Sequence, residues 1–114
     1  SVYDGRYRYI VNLTPEATFQ NVETKSPLFK EWKRLAETDS HAKAMTTKYQ
    51  HRPAIELYDV KNDPYCMKNL AEDAKQASTI SRLDKELKRW MKDCGDEGQP
   101  TEMRAFEHMP GKRK

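Results

Sequence analysis

One long amphipathic segment does most to limit the folds open to this chain. From Gln76 to Cys94, apolar side chains recur at three- and four-residue spacing, which predicts a helix that ends at Gly95. The stripe consists of Ile80, Leu83, Leu87, Trp90, Met91 and Cys94. A chain of 114 residues has room for one small core in which to bury such a stripe. The helix therefore has to pack on a sheet built from other segments.

The first two strands of that sheet are predicted at the N-terminus. The segment "VYDGRYRYIVNL" alternates in polarity and contains Asp4-Gly5, which predicts a β-hairpin with a type I′ turn. In the second strand, Tyr7, Tyr9 and Val11 share one face. We expect this aromatic face to be buried.

A third strand is predicted at "AIELYDV", residues 54–60. Ile55 and Leu57 lie on one face of this strand, whereas Glu56 and Tyr58 lie on the other. The sequence Asn-Asp-Pro at 62–64 favours a turn and stops the strand.

The residues between the second and third strands predict a short helical insertion. Thr14-Pro15-Glu16 and Ser26-Pro27 both have a hydroxyl cap followed by proline, which is typical of a helix start. The second signal opens a helix over about residues 27–38, and a shorter one follows over 41–50. The fold class is therefore α+β, a small antiparallel sheet with a long helix packed on it. Residues 96–114 have scattered charges and isolated apolar positions and are predicted to be a polar tail.

Composition narrows the functional classes. Hydrophobic residues make up 36% of the chain and charged residues 34%, and the net charge is only +3. Because basic and acidic residues interleave, the charge is best interpreted as a solvated surface, and no nucleic acid partner is expected. No apolar run approaches the length of roughly 20 residues that crosses a bilayer. The chain starts at Ser1 without signal-peptide features, which we interpret as a cut N-terminus.

The sequence shows no catalytic or metal-binding pattern. The four glycines are scattered singly, so there is no phosphate loop, and the three histidines lack ligand partners at metal-site spacing. Asp59, Asn62 and Asp63 favour a turn rather than a calcium loop. Cys66 and Cys94 are compatible with one disulfide or two free thiols, and Asn12-Leu13-Thr14 fits a glycosylation acceptor.

The order of the motifs nevertheless resembles a known family. "DGRYRYIVNLTPE", a helical insertion, "RPAIELYDVKNDPYCMKNLAED" and an amphipathic helix that ends in "LKRWMKDCGD" together resemble the C-terminal subdomain of type I sulfatases. The nearest likeness is to the heparan N-sulfatase-like (sulfamidase-like) branch. The resemblance covers residues 1–95, and "ELYD-x-x-NDP-x-x-x-x-NLA" is its most specific part.

The resemblance implies a sheet of about four antiparallel strands beside the active site of a larger N-terminal catalytic domain. In the family, that domain carries a formylglycine made from a C/S-x-P-x-R motif, together with a bound calcium ion. Neither cysteine of this chain lies in that motif. The resemblance therefore implies calcium and formylglycine for the parent enzyme, no catalytic or metal residue on this chain, and no activity of the chain alone. It further implies export to the periplasm, the exterior or the lysosome.

Two residues are candidates for contact with a sulfated glycan. His51 and Arg52 precede the third strand, and the planar guanidinium of Arg52 suits the oxygens of a sulfate or carboxylate group. A structural or solvated arginine is the alternative interpretation.

Two other functional classes remain open on sequence grounds. The first is a free-standing basic module that binds an acidic glycan or nucleic acid through Arg6, Arg8, Lys112, Arg113 and Lys114. The second is a structural oligomerisation domain. For a sulfatase subdomain we expect an exposed docking face and self-association of the isolated chain.

Overall fold

A computed structural model describes residues 1–108, which form two compact units. The first unit combines Ser1–Leu13 with the described residues from Ile55 onward, and the second is Thr14–Ala54. The predicted insertion between the second and third strands is thus a unit of its own. The division at residue 95 into subdomain and tail stays a prediction.

The first unit contains a three-stranded antiparallel sheet. Its strands β1 (Val2–Tyr3), β2 (Tyr7–Val11) and β3 (Ile55–Asp59) lie in the order β1-β2-β3, with Tyr9 opposite Leu57. A long helix of the same unit packs on this sheet, so the predicted α+β class is confirmed. Residues 1–108 supply three strands, not four, because the segment after β3 forms a loop along its edge instead of another strand.

The central residues of the hairpin turn are Gly5 and Arg6, one position later than the predicted pair of Asp4 and Gly5. Gly5 is the first central residue, with φ of +96°, and the Asp4 N–H donates to the Tyr7 carbonyl at 3.2 Å. A positive φ at the first central position alone is what a type II′ turn requires. Asp4 is therefore not a central residue of the turn but directly follows β1. Its carboxylate accepts hydrogen bonds from the N–H groups of Arg6 and Tyr7.

The core lies between the sheet and α3 (Ala77–Cys94). Tyr9 and Leu57 of the sheet pack with Leu83 and Leu87 of the helix, and all four are at most 4% exposed. Gly95 ends the helix with φ of +70°, as predicted.

Two members of the predicted apolar stripe are not buried. Trp90 is 57% exposed and Cys94 is also exposed. Both lie in the last turns of α3, beyond the pair of leucines that contact the sheet. Trp90 borders a groove beside β1, the outermost described strand on that side.

The Asn-Asp-Pro segment folds into a loop held by its own polar groups. The Asp63 carboxylate accepts the N–H groups of Met67 and Lys68, at 3.0 and 2.8 Å. The Asn62 side chain donates to Asp59 at 2.9 Å, and Cys66 takes a left-handed conformation with φ of +53°. This network turns the chain back toward β3.

Asn69 and Leu70 then close the outer edge of β3. The N–H of Leu57 donates to Oδ1 of Asn69 at 2.9 Å, and Nδ2 of Asn69 donates to the Ile55 carbonyl at 3.2 Å. The N–H of Leu70 donates to the Leu57 carbonyl at 2.8 Å. An exposed strand edge is a template for unwanted pairing, and here a side-chain amide occupies it. Leu70 packs against the core and so anchors the connector, as predicted.

The second unit contains two capped helices. α1 (Pro27–Leu35) begins at Ser26, whose Oγ accepts the Phe29 N–H, and α2 (Ser40–Gln50) begins at Asp39. The helix start predicted at residues 14–16 is wrong, because this segment forms a single turn in which the Ala17 N–H donates to the Thr14 carbonyl. The residues that follow lack the apolar periodicity that would bury a helix.

Part of the predicted tail is helical. α4 (Gln99–Met103) and a 3-10 turn (Ala105–His108) follow the buried Gly98, whose φ is +77°. A Cβ on Gly98 would contact Leu13 and Met91 at 3.6 Å, so Gly98 packs closely against these two side chains within the first unit. Lys112, Arg113 and Lys114 of the basic-module hypothesis lie outside the described residues.

Asn69→Ala should destabilise the chain by about 1–3 kcal/mol, because the buried N–H of Leu57 loses its acceptor. Chemical denaturation at neutral pH measures this free energy of unfolding. Lys68→Ala, at the exposed neighbouring position, is the control and should change it by less than about 0.5 kcal/mol. Equal effects of the two variants would show that the edge closure does not stabilise the sheet.

Candidate functional site

Two arginine-aspartate pairs of the first unit surround the hairpin turn. Nε and Nη2 of Arg6 both donate to Oδ2 of Asp59, at 3.2 and 2.8 Å, and the guanidinium lies 4.9 Å from the centroid of the Tyr7 ring. The pKa of Asp59 is lowered from 3.8 to about 2, chiefly by the Arg6 hydrogen bond and then by those from Asn62. The pair joins the hairpin turn to the end of β3.

A second arginine-aspartate pair joins the same turn to α3. Nη2 of Arg82 donates to Oδ2 of Asp4, whose other oxygen accepts two backbone N–H groups. The pKa of Asp4 is lowered from 3.8 to about 2, first by the Arg82 hydrogen bond and then by the N–H groups of Tyr7 and Arg6. The two charged pairs therefore hold the hairpin turn against the end of β3 and against α3.

A buried carboxylate lies on the sheet face opposite α3. Glu56 is 1% exposed, and it accepts hydrogen bonds from the Tyr58 hydroxyl and, at 2.8 Å, from Nδ2 of Asn12. The sequence predicts that Glu56 and Tyr58 share a face, but it does not predict their burial. Strand alternation indicates only the hydrogen bond, because a tyrosine two residues away along a strand is on the same face and close enough to donate to the glutamate. Asn12, the first residue of a triplet that fits the glycosylation pattern, is thus also part of the sheet's polar network.

Tyr9 connects the core to the surface of α3. Its hydroxyl donates to Oδ1 of Asp84 at 3.1 Å, and Nζ of Lys88 lies 2.6 Å from Oδ2. Burial and then the Asp84 hydrogen bond raise the pKa of Tyr9 to about 12. This tyrosine therefore stays protonated and serves as a donor.

His51 and Arg52 follow α2 in the second unit. His51 is exposed, and its N–H donates to the Thr47 carbonyl at the end of the helix. Arg52 is partly buried, and its Nη1 donates to the Lys48 carbonyl at 3.3 Å. The bond to the helix end gives Arg52 a structural role; contact of either residue with substrate stays a prediction.

The described residues do not fit the cofactors that the resemblance implies for the parent enzyme. Within residues 1–108, no group of three His, Cys, Asp or Glu side chains is placed to hold a metal ion. Cys66 and Cys94 are free thiols, and neither lies in a C/S-x-P-x-R motif. The helices among these residues also include none with the length and apolarity to cross a bilayer.

Comparison with known proteins points to the sulfatases. No family model matches the chain. Two curated proteins of Formosa agariphila, each named ulvan-active sulfatase, are similar to most of it. One is 33% identical over 106 residues, which is 90% of this chain and 18% of the relative. The other is 32% identical over 96 residues, which is 83% of this chain and 17% of the relative. The chain thus spans less than a fifth of the length of these relatives, and the similarity supports its interpretation as a piece of a sulfatase.

Asp4 and Asp59 should make the stability of the chain depend on pH. Their folded pKa lies below the ordinary value, so the stabilisation is present above about pH 4 and is lost as the pH falls toward 2. The free energy of unfolding should therefore decrease over this interval. Urea denaturation at several pH values measures it, and both Asp4→Asn and Asp59→Asn should flatten the profile.

Glu37→Gln, at an exposed position of the second unit, is the control and should leave the slope as in the unchanged chain. A slope that is the same for all four proteins would show that the two pairs make no contribution.

Proposed function

We propose that this chain is the non-catalytic C-terminal subdomain of a sulfatase. The observation that carries the proposal is its similarity to two ulvan-active sulfatases over 90% and 83% of its length, against 18% and 17% of theirs. A subdomain of this kind contributes structure, while the reacting groups belong to the remainder of the enzyme.

The contacts of the polar residues support a structural role. Arg6, Asp59, Asn62 and Asp63 belong to the motifs that carry the sulfatase resemblance, and each is engaged in a bond within the first unit. A residue held by such bonds has its side chain positioned by the fold. The specific motif "ELYD-x-x-NDP-x-x-x-x-NLA" is therefore explained as the closure of β3 and its following loop.

The basic-module alternative has weaker support. Arg6 pairs with Asp59, and the Arg8 guanidinium lies 5.7 Å from the centroid of the Tyr3 ring. Two of its five residues thus already take part in contacts within the first unit.

For the parent enzyme we propose hydrolysis of sulfate esters or N-sulfate groups of a glycan, with calcium and formylglycine in a separate catalytic domain. The finer assignment, to the heparan N-sulfatase-like branch with a glycosaminoglycan-type substrate, is supported by the sequence motifs. The relatives are named for activity on ulvan, which makes ulvan the competing substrate. We further propose that this subdomain packs beside the active site and that the enzyme is exported.

The gene upstream of the Ser1 codon tests this proposal directly. We expect the open reading frame to continue upstream and to encode a C/S-x-P-x-R motif. The longer product should hydrolyse an aryl sulfate and lose that activity in EDTA, whereas the 114-residue chain should show no turnover. Turnover by the 114-residue chain, or a long product without the motif, would contradict the proposal. Sulfate release from heparan fragments and from ulvan then separates the two substrate classes.

A role for Arg52 in substrate contact has its own test in the longer enzyme. Arg52→Lys keeps the charge but loses the planar fork, so KM for the sulfated glycan should rise about tenfold with kcat little changed. Kinetics on a small aryl sulfate should stay the same. His41→Ala, at the other end of α2, is the control and should change neither substrate. Equal losses on both substrates, together with a lower melting temperature, would show that Arg52 acts only through its bond to the Lys48 carbonyl.

A further inference from the structure

Four aromatic rings of the second unit, the aromatic row, form a continuous chain of contacts. Phe19 meets Tyr49 edge to face with ring centroids 5.8 Å apart, and Tyr49 lies 5.5 Å from Phe29. Trp32 completes the row at 6.5 Å from Phe29. Phe29 is buried, whereas the other three rings are between 38% and 49% exposed. Contiguous exposed apolar surface is uncommon on folded proteins and marks a place of interaction.

Hydrogen bonds at the end of α2 hold the exposed rings in place. The Phe19 N–H donates to the Gln50 carbonyl at 2.8 Å, which ties the Phe19 segment to the helix. Nδ2 of Asn21 donates to the Tyr49 hydroxyl at 3.0 Å. Asn21 is itself fixed, because its Oδ1 accepts the Thr24 N–H at 3.0 Å. Side chains that are already ordered lose less conformational entropy when a ligand binds to them.

A cation and hydrogen-bonding groups lie beside the rings. Nζ of Lys33 donates to Oε1 of Gln50 at 3.1 Å, which brings an ammonium group of α1 to the residue that follows Tyr49. Because the Gln50 side chain is neutral, this bond does not neutralise the charge of Lys33. The Tyr49 hydroxyl accepts from Asn21, which leaves its own hydrogen to donate to a ligand. Aromatic rings with a few placed polar groups are the usual lining of a ligand site.

A sugar with anionic substituents matches this surface. One face of a sugar ring presents C–H groups, whose partial positive charge is attracted to the negative face of an aromatic ring. Its hydroxyl groups exchange hydrogen bonds with phenol and amide groups. A sulfate or carboxylate substituent is in turn attracted to an ammonium ion. The three kinds of group found at the row thus correspond to the three kinds found on such a sugar.

We propose that the aromatic row binds sugar units of an anionic glycan, with Trp32 and Tyr49 stacked on sugar rings and Lys33 paired with a sulfate or carboxylate group. The inference rests on the proposed function, because a sulfated glycan is the substrate proposed there for the parent enzyme. It deepens that function by naming a surface that holds the polymer. The row contributes affinity and no reacting group.

Burial of the row under another part of the parent enzyme is the competing interpretation. Lysine is depleted at the centre of protein interfaces, because its ammonium group is costly to remove from water. Lys33 lies beside the rings with a neutral amide as its partner, so a permanent cover would bury its charge without a carboxylate. A glycan binds with its anionic groups in water and brings the compensating charge with it.

Titration of the 114-residue chain with glycans tests the proposal. The chain has two tryptophans, so in a Trp90→Phe background the tryptophan fluorescence reports on Trp32 alone. Oligosaccharides of heparan sulfate or of ulvan should change this emission in a saturable way, and desulfated forms should bind about fivefold more weakly. No saturable change with either glycan would overturn the proposal. So would equal affinity for a DNA oligonucleotide, since stacked bases would then be the ligand.

Variants of the row separate stacking from charge in calorimetric titrations. Trp32→Ala should weaken binding about tenfold, and Trp32→Phe, which keeps an aromatic face, should weaken it less. Lys33→Gln should weaken binding of the sulfated form about fivefold and leave the desulfated form unchanged. Trp90→Ala and Lys85→Gln, at exposed positions of α3, are the matched controls. Unchanged binding by Trp32→Phe and Lys33→Gln, two variants that preserve the packing, would show that the glycan binds elsewhere.

The longer gene product distinguishes a glycan surface from an internal interface. In fluorotryptophan-labelled protein, the fluorine NMR signal of Trp32 is assigned by its loss in Trp32→Phe. This signal should show solvent exposure in the longer product and lose it when the glycan is added. A signal shielded before any glycan is added would overturn the proposal, because the remainder of the enzyme would then cover the row.

These outcomes are distinct from failure of the proposed function, which appears as a missing sulfatase motif upstream or as turnover by the short chain.

Discussion

The packing of α3 on the sheet is the interaction on which the first unit depends. Leu83 and Leu87 are buried against Tyr9 and Leu57, and burial of each leucine is worth about 1.5–3 kcal/mol. With only 36% hydrophobic residues, the chain has few other positions from which to build a core. The ion pairs and loop contacts of this unit align the strands below the helix and fix the connection that leads to it.

The polar contacts around that core perform the alignment. Asp4 joins the hairpin turn to α3 through Arg82, and Asp59 joins the same turn to β3 through Arg6. The arginine of each pair is more than half exposed, so solvent screening reduces what the ion pair adds to stability. Their value here is geometric, since the turn is held at once to the helix and to the neighbouring strand. The motif that resembles sulfatases is thus a set of positioning contacts.

The sequence predicts those parts of the fold that depend on local pattern. The alternation at Tyr7, Tyr9 and Val11 and the helical spacing of Leu83 and Leu87 correctly give the buried faces, because each pattern has one period and one apolar side. The sequence also correctly predicts the helix caps at Ser26 and Gly95.

The features of the fold that the sequence does not predict depend on contacts between residues distant in sequence or on choices between similar turns. Asp4-Gly5 permits either of two turn registers, and the bonds from Arg6 and Tyr7 to the Asp4 carboxylate are part of the register adopted. The use of Asn69 as an acceptor for Leu57 has no periodic signal. The burial of Glu56 depends on a three-dimensional environment that strand alternation does not report.

The insertion of Thr14–Ala54 between two paired strands has a consequence for variation in this architecture. Val11 of β2 lies opposite Ile55 of β3, so the insertion leaves and re-enters the sheet at adjacent positions. The entropic cost of closing a loop rises only slowly with its length, by about 0.6 kcal/mol for each doubling. The second unit can therefore lengthen, shorten or be exchanged with little penalty to the strand register. It gives this fold a site at which new surface can be acquired while the rest of the scaffold is unchanged.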